Sequence, residues 1–407
     1  MSGTARRLGL LSSLYFCQGL PFGFFVQALP VVLRKMGVGL PAIGAASLLA
    51  VPWMVKFLWA PWVDQTRPGA LGLGRRKAWI LPLQLSSALA IGGIAALDPA
   101  QGLWVVMAAT LVTNLFAATQ DVAADGLAVE LLRPDERGLG NGVQVAAYRV
   151  GMIVGGGALL WVYDREGWTV TLGTMAALLV VATVPIALHR EAARPDEQAP
   201  QASLWEALRR PGMLPWLGTL ALFKLGEATG SGMLRPMLVD LGVSTEEIAA
   251  MVGVGGFSAG LIGAALGGVL VGRLGLRAAV GAFGALQSLA IASWIPAALG
   301  LGGATVLYGA TLFEHLASGL ATVSVFTAMM SACRRDAGLG GTDYTLQASA
   351  FVIATGLGGA LSGVSAKALG YDGNLGLAAG LSLLGALVLA LTLPASLARL
   401  SEAPPRA

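Results

Sequence analysis

With 407 residues, 56% of them hydrophobic and only 12% charged, the chain carries about half the charge density of a soluble protein. A net charge of +4 gives no reason to expect a nucleic-acid partner, and 57 glycines suit helices packed closely in a bilayer. Cys17 lies in an apolar run and Cys333 in a polar loop, so neither a disulfide nor a metal site is expected.

A helix crossing about 30 Å of hydrocarbon needs roughly 20 residues. Apolar runs between polar breaks predict twelve such helices: 8–33, 40–62, 78–97, 102–131, 141–163, 167–188, 213–239, 246–272, 278–298, 301–332, 342–368 and 373–396. The first run is too long for a signal-peptide core and no small-residue cleavage site follows it, so it reads as a retained helix. The longest polar break, 189–212, holds Pro195 and Pro200. Ser203 and Glu206 follow at capping-box spacing, predicting a short surface helix that ends at Pro211. The expected fold is all-α and polytopic: six-helix bundles at 1–188 and 213–407, joined by a cytoplasmic linker at 189–212.

Basic residues orient such a chain, because they are retained on the cytoplasmic side. With the N-terminus inside, eighteen of the 26 Lys and Arg fall in inside segments, among them Arg6, Arg7, Arg75, Arg76, Lys77, Arg133 and Arg334. Only Arg34, Lys35, Arg165 and Lys367 fall outside, while Lys56, Arg149, Lys224 and Arg235 lie within helices. One missed span would invert every later loop, so the asymmetry argues for the count and for cytoplasmic N- and C-termini. A faint repeat argues for two related halves. Arg133, Asp135, Gly138 and Gly140 recur as Arg334, Asp336, Gly338 and Gly340, at an offset of 200–201 residues.

An ionisable group at mid-bilayer is costly and marks a candidate site. Asp121 and Asp125, four residues apart, share one helix face. Lys56 and Arg149 lie at a similar depth, roughly 12–18 Å from the cytoplasmic side at 1.5 Å per residue. These four read either as a salt-bridge network joining three helices or as a site where one Asp binds a proton or a substrate cation. In the second half Lys224 and Glu227 are three apart, and Glu314 precedes His315, one of two histidines. Glu227 and Glu314 read as functional. His315 reads either as a core histidine or as a group that titrates near neutrality. Gln18, Gln27 and Asn114 add polar contacts, while Trp53, Trp59 and Trp104 pack, anchor or stack. Asp64 at a helix end, followed by Arg75, Arg76 and Lys77, reads as a gating latch. The pairs Gly151/Gly155, Gly263/Gly267 and Gly359/Gly363 read as helix-packing positions. Gly256, Ser258 and Gly260 match a hydrolase elbow by chance, inside an apolar helix. The chain has no phosphate-binding Gly loop with Lys-Ser/Thr, so ATP hydrolysis is not expected, nor any other enzymatic activity.

Several of these residues fall in longer segments that resemble the AmpG-type muropeptide permeases of the major facilitator superfamily. The segments are Tyr15 to Gly23, Lys56 to Asp64, Gly74 to Leu81, Thr119 to Gly126, Glu136 to Gly138 and Tyr148 to Gly151. The resemblance covers nearly all of the first half in order, and the second half mainly in architecture. The segment Gln27 to Arg34 and the chain length are similar to the RhtX/FptX siderophore-importer branch. By resemblance, Lys56, Asp121, Asp125, Tyr148 and Arg149 belong to transport machinery driven by the proton gradient. The expectation is a proton-coupled symporter of the bacterial inner membrane that imports a bulky organic solute. A siderophore is the first substrate expected, a muropeptide or another small molecule the alternative. No cofactor is expected beyond the proton gradient. The partners expected are the small-molecule substrate and the lipid bilayer, with the chain acting as a monomer.

Overall fold

The computed structural model describes residues 3–35, 49, 51–66, 73–97, 99–191, 203–334 and 339–401. Residues 40–48 and 50 of the second expected span lie outside these, as do 192–202 of the expected linker and 335–338 of the repeated loop. Hydrocarbon offers nothing to bond a peptide group, so apolar runs satisfy their own backbone as helices.

The chain opens with α1 (Gly3–Gly23), a π-helical turn (Phe24–Ala28) and α2 (Leu29–Lys35). Pro21 lies near the end of α1, and its missing N–H precedes the change of helical type. After α3 (Val51–Val55) and a 3-10 turn (Lys56–Leu58) come α4 (Ala60–Gln65), α5 (Lys77–Ala95) and α6 (Pro99–Leu131). A second 3-10 turn (Pro134–Glu136) leads into α7 (Arg137–Ile153), a π-helical turn (Val154–Ala158) and α8 (Leu159–Leu188). The short α9 (Leu204–Arg209) begins directly after Ser203. Next are α10 (Met213–Gly232), α11 (Leu234–Asp240), α12 (Thr245–Ile248), a π-helical stretch (Ala249–Gly256) and α13 (Phe257–Leu274). Then follow α14 (Leu276–Ala292), α15 (Ile295–Ala298), α16 (Gly303–Ser331) and α17 (Gly340–Ser401).

Among the described residues, seven continuous helical stretches are long and apolar enough to cross a membrane. Two of them, Pro134–Leu188 and Gly340–Leu400, run 55 and 61 residues. At 1.5 Å per residue each spans roughly 80–90 Å, far more than one crossing requires. Both are broken by a glycine outside helical geometry, Gly167 (φ 77°, ψ −171°) and Gly370 (φ 78°, ψ 173°). A residue with a Cβ rarely adopts that backbone, so the two breaks sit where the sequence can make them. Leu89, Trp104, Val181, Leu188 and Val254 are each at least 67% exposed, an apolar exterior that suits lipid.

The chain divides into two compact units. The first comprises Met1–Leu132, Ala146–Leu204 and Arg334–Thr345. The second comprises Arg133–Val145, Trp205–Cys333 and Leu346–Ala407. In the first unit, one core forms around Phe24, Leu29, Ile91 and Met175, and another around Leu14, Ile80, Val122 and Ile186. There α1 meets α7 so closely that a Cβ at Gly19 would overlap the Tyr148 carbonyl, and one at Gly151 the backbone of Phe16 and Leu20. In the second unit Met237, Met251, Ile291 and Trp294 form a core, and Gly263 on α13 rests on the Leu316 carbonyl of α16. The third expected small-residue pair behaves differently. Among the described residues, nothing lies within 4 Å of where a Cβ at Gly359 would sit, and one at Gly363 meets the Met233 methyl at 3.9 Å. Gly359 still comes close to α10, with its Cα 3.5 Å from where a Cβ at Gly232 would sit.

Candidate functional site

The first unit holds a buried ionic cluster built from α1, the Lys56 turn and α6. Lys56 is presented by a 3-10 turn between α3 and α4, and its side chain is 8% exposed. Its ammonium pairs directly with Asp121 and lies 3.9 Å from Asp125. One α-helical turn separates the two carboxylates, so a single cation reaches both. The Tyr15 hydroxyl donates to Asp125 Oδ1 at 2.7 Å. Among the described residues these contacts join two carboxylates, one ammonium and one phenol, so with every group ionised the acids outnumber the lysine by one. A lone surplus charge is expensive there unless a proton or a cationic ligand group relieves it.

An aromatic wall adjoins this cluster. Phe22 sits 5.9 Å from both Trp53 and Tyr148 by ring centroids, and the Lys56 ammonium lies 5.7 Å from the centre of the Trp53 ring. Gln18, one turn before Phe22 on α1, is 2% exposed. Its Nε2 and the Trp53 Nε1 are buried donors without a protein acceptor among the described residues. Idle buried donors are costly, and each is a position where a ligand oxygen can bind. Arg149, next to Tyr148, is half-buried. Gln27, in the first π-helical turn, packs on Gly156 of the second. The Asn114 amide donates to the Leu49 carbonyl at 2.9 Å, which gives it a structural duty. Trp59 donates to the Thr119 hydroxyl at 3.1 Å, whereas Trp104 is 71% exposed and points outward.

The second unit carries the ionisable groups expected within its helices on α10 and α16, with the Gln287 amide of α14 facing one of them. Lys224 and Glu227 pair across one turn of α10, both half-buried, with Lys224 5.9 Å from the Phe351 ring centre. On α16, Glu314 is 6% exposed. It accepts from Gln287 Nε2 at 3.3 Å and lies 2.9 Å from His315 Nδ1, which also approaches the Thr311 carbonyl at 3.0 Å. A Cβ at Gly256 would overlap the His315 ring, so the third π-helical stretch makes room for that imidazole.

The expected latch residues converge in the first unit. The fully buried Arg76 guanidinium pairs with Asp64 and reaches Glu130 Oε1 at 2.7 Å from Nη2, while Arg75 Nη2 reaches the same oxygen at 2.6 Å. Burial works against the Arg76 charge, but Asp64 and Glu130 outweigh it and hold the guanidinium above its usual range. Asp64 also accepts from the Thr342 backbone N–H and hydroxyl, both at 2.6 Å. Glu191 takes the backbone N–H groups of Arg76 and Lys77 at the start of α5. The repeated loops share a device. Arg133 N–H donates to Glu136 at 3.2 Å, and Arg334 N–H to Asp343 at 2.9 Å.

Tyr15, Glu130, Glu191, Gln287 and Thr342 were not picked out by sequence reasoning as partners. Depth arithmetic finds charges that share a level, but it cannot identify the neutral donor facing them. Glu130 and Glu191 lie near helix ends, where an acid raises no suspicion.

Known proteins similar to this chain share a transporter fold. Residues 11–342 match the Major Facilitator Superfamily model, and the chain belongs to that family. Within it the chain is AmpG-like. It is 30% identical over 337 residues to the anhydromuropeptide permease of Escherichia coli (strain K12), covering 81% of this chain and 68% of that protein. It is 23% identical to the putative transporter AmpG 4 of Rickettsia conorii, covering 87% and 89%. Among solved structures, the human organic anion transporter MFSD10 superposes with a TM-score of 0.72 at 16% identity, over 96% of this chain and all of that one, which speaks for the fold. The chain is thus a membrane transporter and not an enzyme.

Proposed function

We propose that this chain imports an anhydromuropeptide-like solute, a sugar bearing a short peptide, across the bacterial inner membrane with the proton gradient as its energy source. The observation that carries the reading is the ionic and aromatic site of the first unit. It joins Lys56, Asp121, Asp125 and Tyr148 in a chain 30% identical to an anhydromuropeptide permease. Aromatic faces suit sugar rings, and the idle donors Gln18 Nε2 and Trp53 Nε1 suit hydroxyl and carbonyl oxygens. A surplus carboxylate that one proton neutralises suits coupling. The relatives named above favour the muropeptide alternative over the ferric-siderophore expectation.

The arrangement proposed is twelve crossings with both termini cytoplasmic, acting as a monomer. Asp64, Arg75, Arg76, Glu130 and Thr342 then form a latch that holds one access state and opens in the other. Uptake into proteoliposomes tests the reading, using a labelled anhydromuropeptide and a ferric siderophore, each with and without an inward proton gradient. Saturable muropeptide uptake stimulated by the gradient is expected. Siderophore uptake alone overturns the substrate, and muropeptide uptake indifferent to the gradient overturns the coupling.

A further inference from the structure

Away from the charged centre, the first unit has a groove of about 400 Å³ between the start of α1 and the end of α8. Its walls are Gly9 and Leu10 on α1, and Val184, Pro185 and Leu188 on α8. Val184, Pro185 and Leu188 are exposed, and the hydrophobic floor runs from the helix ends toward the membrane-spanning part. Its rim is different. Arg6 and His189 line it, and the Lys77 ammonium stands beside it, donating to the Ala187 and His189 carbonyls at 2.5 and 2.9 Å. Glu191, the nearby acid, is engaged by the backbone N–H groups of Arg76 and Lys77. Two fixed cations and an imidazole above an apolar slot are complementary to one kind of molecule, a negatively charged head on a hydrocarbon chain.

We propose that this groove is a binding site for one anionic phospholipid of the cytoplasmic leaflet. The phosphate lies against Arg6, His189 and Lys77, and the acyl chain lies along Gly9, Leu10, Val184, Pro185 and Leu188. The inference takes its leaflet from the proposed orientation but does not depend on what the transporter carries. The protein field fits the same occupant. His189 titrates below its ordinary range, mainly because burial penalises its charge; Glu191 pulls it back up, while Arg6 and Lys77 push it further down. A phosphate seated between these groups offsets that repulsion. The second unit has a comparable groove of about 510 Å³ with a single cation, Arg277, whose Nε is already bonded to the Ala390 carbonyl at 3.0 Å. It therefore serves as an internal control.

The test is lipid retention by the purified full chain, read by native mass spectrometry after exchange into mixtures of phosphatidylglycerol and phosphatidylcholine. Wild type is expected to retain one phosphatidylglycerol in preference to phosphatidylcholine. Arg6→Ala is expected to weaken that retention about fivefold, the worth of one basic residue near an anionic surface. Gly9→Phe keeps every charge and adds bulk to the groove wall at a position where, among the described residues, a Cβ meets nothing within 4 Å. It is expected to block the chain and lower retention as well, while Arg277→Ala leaves retention unchanged. Equal retention by wild type and both groove variants overturns the proposal, as does an equal loss with Arg277→Ala. Protection from phosphatidylglycerol by millimolar inorganic phosphate alone also overturns it, in favour of a simple anion site. Substrate is absent throughout, so a failure here and a failure of the transport reading remain separable.

Discussion

The two units treat buried charge in opposite ways. In the first, Lys56 is almost fully enclosed and serves two carboxylates at once, with Tyr15 on the second. In the second, Lys224 and Glu227 form a one-to-one pair along a single helix, each nearly a fifth exposed, while Glu314 shares its oxygens with an amide and an imidazole. The first arrangement ties separate segments together and leaves a charge over. In the second, the lysine pair is local to one helix, and Glu314 bridges α14 and α16 through neutral or titratable partners. The enclosure of Lys56 between two carboxylates is the reason the proposed coupling proton is placed in the first unit.

That contrast can be broken most directly by removing each lysine. Lys56→Met leaves two buried carboxylates without their cation and is expected to cost about 3–5 kcal/mol, lowering the melting temperature of the detergent-purified protein sharply. Lys224→Met removes half of a part-exposed i,i+3 pair and is expected to cost no more than about 1 kcal/mol in the same assay. Equal losses from the two would end the distinction. Tyr15→Phe sharpens it at the level of one bond: it takes a charge-assisted donor from Asp125 and is expected to cost about 1.5–3 kcal/mol, between the two lysine variants. Glu314→Gln keeps an oxygen for the Gln287 amide, so its fold is expected to survive within about 1 kcal/mol while gradient-driven uptake falls. Wild-type uptake in Glu314→Gln would leave that acid with a structural role only.

The smallest effect is at the edge of the first unit. Because His189 titrates below 6.5 in the folded chain, the unfolded chain binds more protons in the window below that value. Its contribution is fully present above 6.5 and is lost as pH falls through the lower folded value. His189→Gln should therefore show a flatter decline of melting temperature below pH 6.5 than wild type; superimposable profiles would contradict the assignment.

Much of this was legible in the sequence, for identifiable reasons. Apolar run length exposes helices in a bilayer, and isolated charges within those runs expose Lys56, Asp121, Asp125 and Glu314, because so few charges compete for attention. The Asp64–Arg76 ion pair was visible for the same reason, as an acid beside a basic cluster. What sequence reading missed was neutral or long-range. Tyr15 faces Asp125 from 110 positions away, and Thr342 meets Asp64 from 278 positions away, distances across which no periodicity operates. The π-helical stretches were also invisible, since Phe24–Ala28 and Val154–Ala158 read as ordinary helix until their packing is known. Asn114 was expected to add a polar contact, and its amide donates to the Leu49 carbonyl, because a buried amide takes the nearest acceptor.

The central claim is that the surplus carboxylate of the first unit carries the coupling proton, and Asp125→Asn tests it most directly. In proteoliposomes, gradient-driven accumulation of the muropeptide would be compared with counterflow exchange at equal pH on both sides. The substitution neutralises the surplus and keeps an acceptor for Tyr15, so the fold and exchange are predicted to persist while accumulation is lost. Accumulation at the wild-type level in Asp125→Asn would contradict the account.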